Sequence, residues 1–192
     1  MRRFTILAAL IIAAIFAPRP AHAAASNQYD FRFSPLGLVV GSINLDFDIA
    51  ITPDWTIGPA LQYWHLKINS GSDFTSSFDI TAYAAGVRAN WFYNGVFTDG
   101  LYVGPSAKYA NVTLNTTNSS GSVSGNINGF LAGCLVGYGW FWDSFNIMLG
   151  AGANIGIGNS GNITVTGSSG NQTTTSTSLS GIDLEFSLGW AF

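Results

Sequence analysis

The chain has 192 residues, 9% of them charged, 14% aromatic and 47% hydrophobic, with 23 glycines and a formal net charge of −3. So little basic charge leaves no footprint for a phosphate backbone and argues against nucleic-acid binding, while the single cysteine, Cys134, rules out an internal disulfide. Low charge suggests a membrane, yet no stretch after residue 23 is apolar for the roughly 18 residues a helical span requires, which leaves strands that satisfy one another's backbone groups in a closed barrel.

The first residues carry an address. Arg2 and Arg3 precede an apolar run from Phe4 to Ala17, followed by Pro18, Pro20 and the small-residue site Ala21-His22-Ala23. This is the layout of a cleaved secretory signal. The run falls short of the roughly 20 residues of a spanning helix. Residues 1–23 are therefore expected to be removed, and residues 24–192 to form one barrel domain.

Strands follow in order. Residues 28–40 begin with Tyr29, Phe31 and Phe33 alternating against Asp30, Arg32 and Ser34, and a bulge is expected at Pro35, which has no free edge in a closed sheet. Residues 43–52 alternate without a fault, and Pro53-Asp54 is a turn. The third strand, 55–68, contains Ile57-Gly58-Pro59-Ala60-Leu61, which recurs 46 positions later as Val103-Gly104-Pro105-Ser106-Ala107 and 46 positions further as Leu149-Gly150-Ala151-Gly152-Ala153. Three in-phase copies suggest duplicated strand pairs. The returning strands are 80–93 and 127–140, the seventh is 145–158, and the eighth is the C-terminal segment.

That last segment, Ile182 to Phe192, places a large apolar residue at every even position and an acidic, hydroxylated or tiny one at every odd position. Period two is the mark of a strand with two unlike faces. A greasy face continuing to a terminal Trp-x-Phe suits a lipid-facing strand, with rings at the membrane boundary.

Connections fall into two classes, as in transmembrane barrels. Short turns containing Asp54, Asp99 and Asp143 lie on one side, where such aspartates act as local caps rather than metal ligands. Longer polar links, 69–79, 115–126 and 159–180, lie on the other. Aromatic residues form two bands: Trp55, Trp91, Trp140 and Trp190 near the short turns, and Tyr63, Trp64, Phe78, Tyr83, Tyr109 and Phe130 near the loops. Parity of the strands, with both ends on one side, requires eight. The fold class is thus all-β: an eight-stranded antiparallel transmembrane up-and-down β-barrel.

In so narrow a barrel side chains fill the lumen. Inward positions carry Asp30, Arg32, Asp46, Asp48, Arg88, Lys108, Asp183 and Glu185. An unpaired buried charge costs several kcal/mol, so Arg88 and Lys108 are expected to reach Asp46, Asp48 or Glu185. Glycines of strands six and seven leave room for Arg88 and its neighbours. They do not form a nucleotide-binding loop, because Ile155 stands where a third glycine is required. The one histidine after residue 23, His65, is expected to face outward. No Ser lies two positions on, so the His-x-Ser pattern of lipid A deacylases is missing, and neither catalytic residues nor a cofactor nor a metal are expected.

The C-terminal alternation ending in Phe186, Leu188, Trp190 and Phe192, together with the N-terminal signal, resembles the small outer-membrane β-barrel superfamily typified by OmpA transmembrane domains, OmpX and OmpW. The resemblance implies residence in a Gram-negative outer membrane, contact with its lipid and lipopolysaccharide, and reading of the C-terminal strand by the assembly machinery. Two functions are compatible with it. One is a structural or surface-interaction protein that presents polar loops, above all 159–180, on a filled barrel. The other is a narrow channel for a small solute or ion, in the manner of OmpW.

Overall fold

The computed structural model describes residues 27–39, 41–70, 76–118, 121–167, 172–176 and 179–192. The expected signal, 1–23, lies outside them. Among the described residues are nine strands, β1 (Tyr29–Phe33), β2 (Ser42–Thr52), β3 (Trp55–Ser70), β4 (Ser76–Phe92), β5 (Gly100–Asn118), β6 (Gly121–Trp142), β7 (Phe145–Gly167), β8 (Gln172–Ser176) and β9 (Ser180–Ala191), and one short helix, α1 (Pro35–Val39). No helix among them is long and apolar enough to cross a membrane.

Each strand pairs antiparallel with the next, β6 with β7, β7 with β9, and β9 with β1, so the sheet closes on itself. β8 joins β7 beside Asn162–Thr166, above the stretch paired with β9, which ends at Ile155. β8 and β9 therefore share the eighth place, and the ring is the expected eight-stranded barrel. Closure at β1 rests on Phe31 opposite Trp190 and on backbone bonds from Gln28 and Tyr29 to the Phe192 carbonyl, 3.0 and 2.9 Å.

Alternation assigns the faces. Across the barrel, Leu61, Ala85, Tyr109, Phe130 and Ile157 stand in one lateral row on the outside, with Arg88, Ser106 and Asn154 among the residues on the inside. From Trp55 to Tyr63, β3 presents an outer apolar face nine residues long, matching the about 9–11 residues with which a tilted strand crosses a bilayer. A band of rings, Tyr63, Tyr83, Tyr109 and Phe130, marks its upper limit. Trp64 and Phe78, expected in that band, stand instead on the inner face, paired with Ala82 and Thr116.

Pro35 starts a helical turn rather than a bulge. Its fixed φ and missing N–H suit the first position of a helix, and Gly41, at φ 77°, ends the excursion before its carbonyl accepts a 2.8 Å bond from His65 N. The chain thus leaves the wall after only five residues of β1.

The long polar links are shorter than expected because the strands continue through them. β5 and β6 stay in register to Asn118 and Gly121, and β7 runs to Gly167. Above the ring band the faces exchange polarity. Outside stand His65, Thr81, Thr113, Asn126 and Asn162; inside stand Leu66, Ile80, Leu114 and Ile163. Polar side chains bond along the outer wall, with Asn111 and Asn126 exchanging two 3.3 Å amide bonds and Asn126 reaching Thr113 at 3.0 Å. This upper wall is built for water outside and apolar contact within. β7 makes the exchange through a shift of register between Asn128 and Phe130, where Gly158 sits at φ 61°. Left-handed backbone favours glycine, and the extra residue turns Ile163 and Val165 inward although Ile157 faces out.

Candidate functional site: the barrel interior

The lumen is layered. Nearest the short turns, the β4–β5 turn folds back into the mouth. Val96 N bonds the Pro53 carbonyl and Phe92 N the Asp54 carbonyl, both at 2.8 Å, which docks this turn on its neighbour. Val96 and Phe97 are buried against Phe92, Tyr102, Leu135, Met148 and Ala191. The Phe97 ring lies 6.3 Å from Phe92 and 6.1 Å from Phe141. Asp99 caps the arrangement, its carboxylate accepting a 2.6 Å bond from Phe141 N. A stretch that reads as an ordinary turn is an apolar stopper.

Above it lies the charged layer. Arg32, fully buried, donates from Nη1 to Glu185 Oε1 at 2.7 Å, bonds Asp48 through Nη2, and has Nε 3.4 Å from Asp30. Arg88 grips the same glutamate with both ends of its guanidinium, at 3.0 and 3.1 Å, and reaches Asp46 at 3.5 Å. Tyr102 and Ser187 complete Glu185, each donating at 2.9 Å. Asp48 also accepts from Asn90 at 2.9 Å and Thr56 at 3.2 Å, and Asp30 from Asn146 at 2.8 Å. Two arginines sharing one carboxylate hold the charged layer together: each removes a penalty that the other could not remove alone.

Of the five network residues read from the sequence, four, Asp46, Asp48, Arg88 and Glu185, meet here. Lys108 does not join them. It is buried one layer higher, 3.5 Å from Asp183, whose Oδ2 also accepts from Asn154 at 3.1 Å. The register explains this, since Lys108 sits opposite Gly86, two residues above Arg88. The residue that sequence reasoning left out of the network is its centre, Arg32, although its inward parity and its acidic neighbour at Asp30 were visible. Tyr102, Asn90 and Asn146 carried a fainter signal, as polar atoms on the inner phase of strands.

Glycines make the layer fit. A Cβ on Gly137 would stand 2.6 Å from the Tyr102 ring, and one on Gly150 2.6 Å from its hydroxyl. Gly189, within the C-terminal alternation, would place a Cβ 2.5 Å from Arg32 Cγ. Phe186, Leu188 and Trp190 occupy the opposite, outer face of β9 and Phe192 follows its last residue, with Trp190 and Phe192 exposed. His65 stands on the outer wall, its Nδ1 3.1 Å from Thr81 Oγ1 and 3.9 Å from Asp79. Both contacts involve one ring nitrogen, so they do not form a relay in which one nitrogen faces a nucleophile and the other an acid.

The highest layer is a cavity of about 420 Å³ between the charged floor and the loop side, lined by Trp64, Ala84, Ala110, Val112 and Leu131, with Asn44, Asn154 and Asp183 below.

A closed antiparallel barrel with an apolar outer band and a charged lumen defines an outer-membrane β-barrel. A family model described as the autotransporter beta-domain matches residues 21–192, and the chain belongs to that family. Comparison with curated protein sequences finds no match. Among solved structures, the chain is similar to the transport unit of the autotransporter AIDA-I from Escherichia coli, at 15% identity over 96% of this chain and 81% of that one, TM-score 0.39. It is also similar to Acinetobacter baumannii CarO, at 14% identity over 89% of this chain and 99% of that one, TM-score 0.40.

Proposed function

We propose that this outer-membrane barrel is a structural and surface-interaction protein that presents polar strand extensions on a filled, non-conducting lumen. The observation that carries the reading is the double closure of the lumen, by the Phe92–Phe97–Phe141 stopper and by the Arg32–Glu185–Arg88 layer above it. A solute crossing it would have to displace a ring cluster and break apart paired buried charges. No catalytic step is part of this role. In the same reading residues 1–23 direct export and are removed, and the outer apolar band contacts membrane lipid and lipopolysaccharide. Phe186, Leu188, Trp190 and Phe192 form the strand that the assembly machinery engages.

The surface element is the β7–β8 hairpin, Asn162–Thr166 against Gln172–Ser176. β8 is five residues long and extends beyond the apolar band, so its outer edge is available for strand addition by a partner. Deleting Thr166 to Thr175 is expected to abolish surface adhesion while the barrel still shows heat-modifiable gel mobility; unchanged adhesion would sink the proposal. Planar-bilayer recording of the purified protein separates the scaffold from the alternative of a narrow solute or ion channel. The scaffold predicts silence for the native chain and for Arg88→Ala. Regular conductance steps in the native chain would establish the channel instead.

A further inference from the structure

We infer that the upper cavity is a binding site for a single-chain amphiphile, seated with a hydrogen-bond-donating head on the charged floor and its hydrocarbon chain toward the loop side. This inference concerns the inside of the barrel and is independent of what the hairpin does outside.

Three observations converge on it. The first is the exchange of polarity above the ring band, which gives the upper lumen apolar walls in a part of the barrel surrounded by water. Apolar residues there gain nothing from lipid, and they face inward from β3, β4, β5 and β7. The cavity below them, about 420 Å³, lies within the range of about 300–1,000 Å³ typical of small-molecule sites. The second is the floor, which is rich in acceptors. Asp183 lines it as a carboxylate, and the amide oxygens of Asn44 and Asn154 are buried without a hydrogen-bond partner in the protein. A hydroxyl or amine head seated there hydrogen-bonds the partly exposed Asp183 carboxylate, and it reaches the costly unmatched amide oxygens when the Asn44 and Asn154 side chains turn toward it. Lys108, 3.5 Å from Asp183, is buried against that carboxylate and does not line the cavity, so a carboxylate head would bring acceptor against acceptor.

The third is a break in the wall. β1 pairs with β9 only from Leu188 to Ala191, and with β2 only from Leu45 to Ile49. From Ser180 to Ser187, β9 therefore has no strand on its β1 side among the described residues. α1 stands in this gap and turns Leu36, Leu38 and Val39 outward, 58, 59 and 82% exposed. Ile182 and Leu184, 83 and 74% exposed, border the cavity at the depth of Ala153 and Ala151 on β7, inside the apolar band. Among the described residues the cavity thus opens sideways at outer-leaflet depth as well as toward the loop side. The first suits an amphiphile already in the membrane, the second one arriving from water, and the recognising chemistry is the same.

Trp64 stands on the cavity wall above the floor and serves as reporter. The full chain without its signal, reconstituted in phosphatidylcholine vesicles, is titrated with 12-bromododecan-1-ol and, separately, with 12-bromododecanoate. The terminal bromine quenches a tryptophan it touches. We expect a saturable component of quenching with the alcohol, absent from Trp64→Phe, and about tenfold weaker or more with the carboxylate. Ala110→Phe and Ala84→Phe, each filling the cavity, should remove it; heat-modifiable mobility certifies that whichever variant is used has folded. Vesicles doped with a monoacylglycerol brominated in its acyl chain, a membrane-resident single-chain amphiphile with a hydroxyl head, form the second arm. A Trp64-dependent component there assigns the bound chain to membrane lipid, and its absence, with saturable quenching by the alcohol retained, assigns it to a free amphiphile. Quenching that rises linearly with both probes and is unchanged in a folded cavity-filling variant overturns the site. Equal affinity for the alcohol and the carboxylate overturns the placement of the head on the floor.

Discussion

Arg32 and Glu185 are 153 positions apart in the chain, yet Arg32 Nη1 lies 2.7 Å from Glu185 Oε1. They meet because β1 and β9 are neighbours in the closed ring, and their contact joins the first strand to the last inside the barrel. Arg32→Met leaves Asp48 and Glu185 short of a partner, and breaking a buried pair from one side costs about 3–5 kcal/mol. Urea unfolding of the reconstituted protein should show that loss, and Arg32→Met combined with Glu185→Gln and Asp48→Asn should recover part of it. A change below about 1 kcal/mol, the scale of an exposed pair, would show that the layer is hydrated rather than sealed.

Tyr102 needs the two glycines beneath it. A methyl group at Gly150 would press on the Tyr102 hydroxyl and on Leu135, and overpacking of this kind costs about 1–3 kcal/mol. Gly150→Ala should therefore be destabilising alone. Combined with Tyr102→Ala it should cost less than the sum of the two single changes, a coupling that a double-mutant cycle in urea measures. Strict additivity would place Tyr102 elsewhere.

The ring band predicts where lipid ends. Val87 and Thr113 both face outward, Val87 opposite Pro59 and Ala107 in the middle of the apolar band and Thr113 above the rings of Tyr83 and Tyr109. Arg at a lipid-facing midplane position costs about 2–4 kcal/mol and near an interface about 0–1. Folding free energies in vesicles should therefore fall clearly for Val87→Arg and hardly for Thr113→Arg. Equal penalties would remove the boundary.

The stopper holds Phe97 in left-handed backbone, φ 55°, which disfavours any residue with a Cβ by roughly 1–2 kcal/mol. The ring contacts outweigh that cost. Phe97→Ala should lose about 3–5 kcal/mol, and Phe97→Gly about 1 kcal/mol less because the backbone penalty goes with the side chain. Chemical denaturation of the two variants compares them directly. Should Phe97→Gly prove the less stable, the backbone-strain account is wrong, and a Phe97→Ala loss below about 1 kcal/mol would overturn the packing account.

Much of the barrel is legible in the chain because a period of two, once read, assigns every side chain to a face. Trp55 to Tyr63, Ile43 to Thr52 and Ile182 to Phe192 declare themselves this way, and the parity of short turns then requires eight strands. The same reading misleads above Tyr63. Asn, Thr and Ser at 115–126 read as loop because the expected grease was on the outside, whereas Val112, Leu114 and Val123 keep one period with the faces exchanged. Alternation says that two faces differ; it does not say which solvent each one meets. That depends on depth in the membrane.

Taken alone, the sequence determines the alternating strands, the aromatic girdle, the acidic and basic residues that must be enclosed, and the strand count, because all of these follow from local pattern and from the cost of unpaired charge. Only the closed structure decides that Arg32, and not Lys108, shares Glu185 with Arg88, that Val96 and Phe97 turn inward as a stopper, and that α1 replaces wall beside β9. These depend on registers across the ring and on which glycine lies beneath which ring, and register is a relation between strands that no single strand carries.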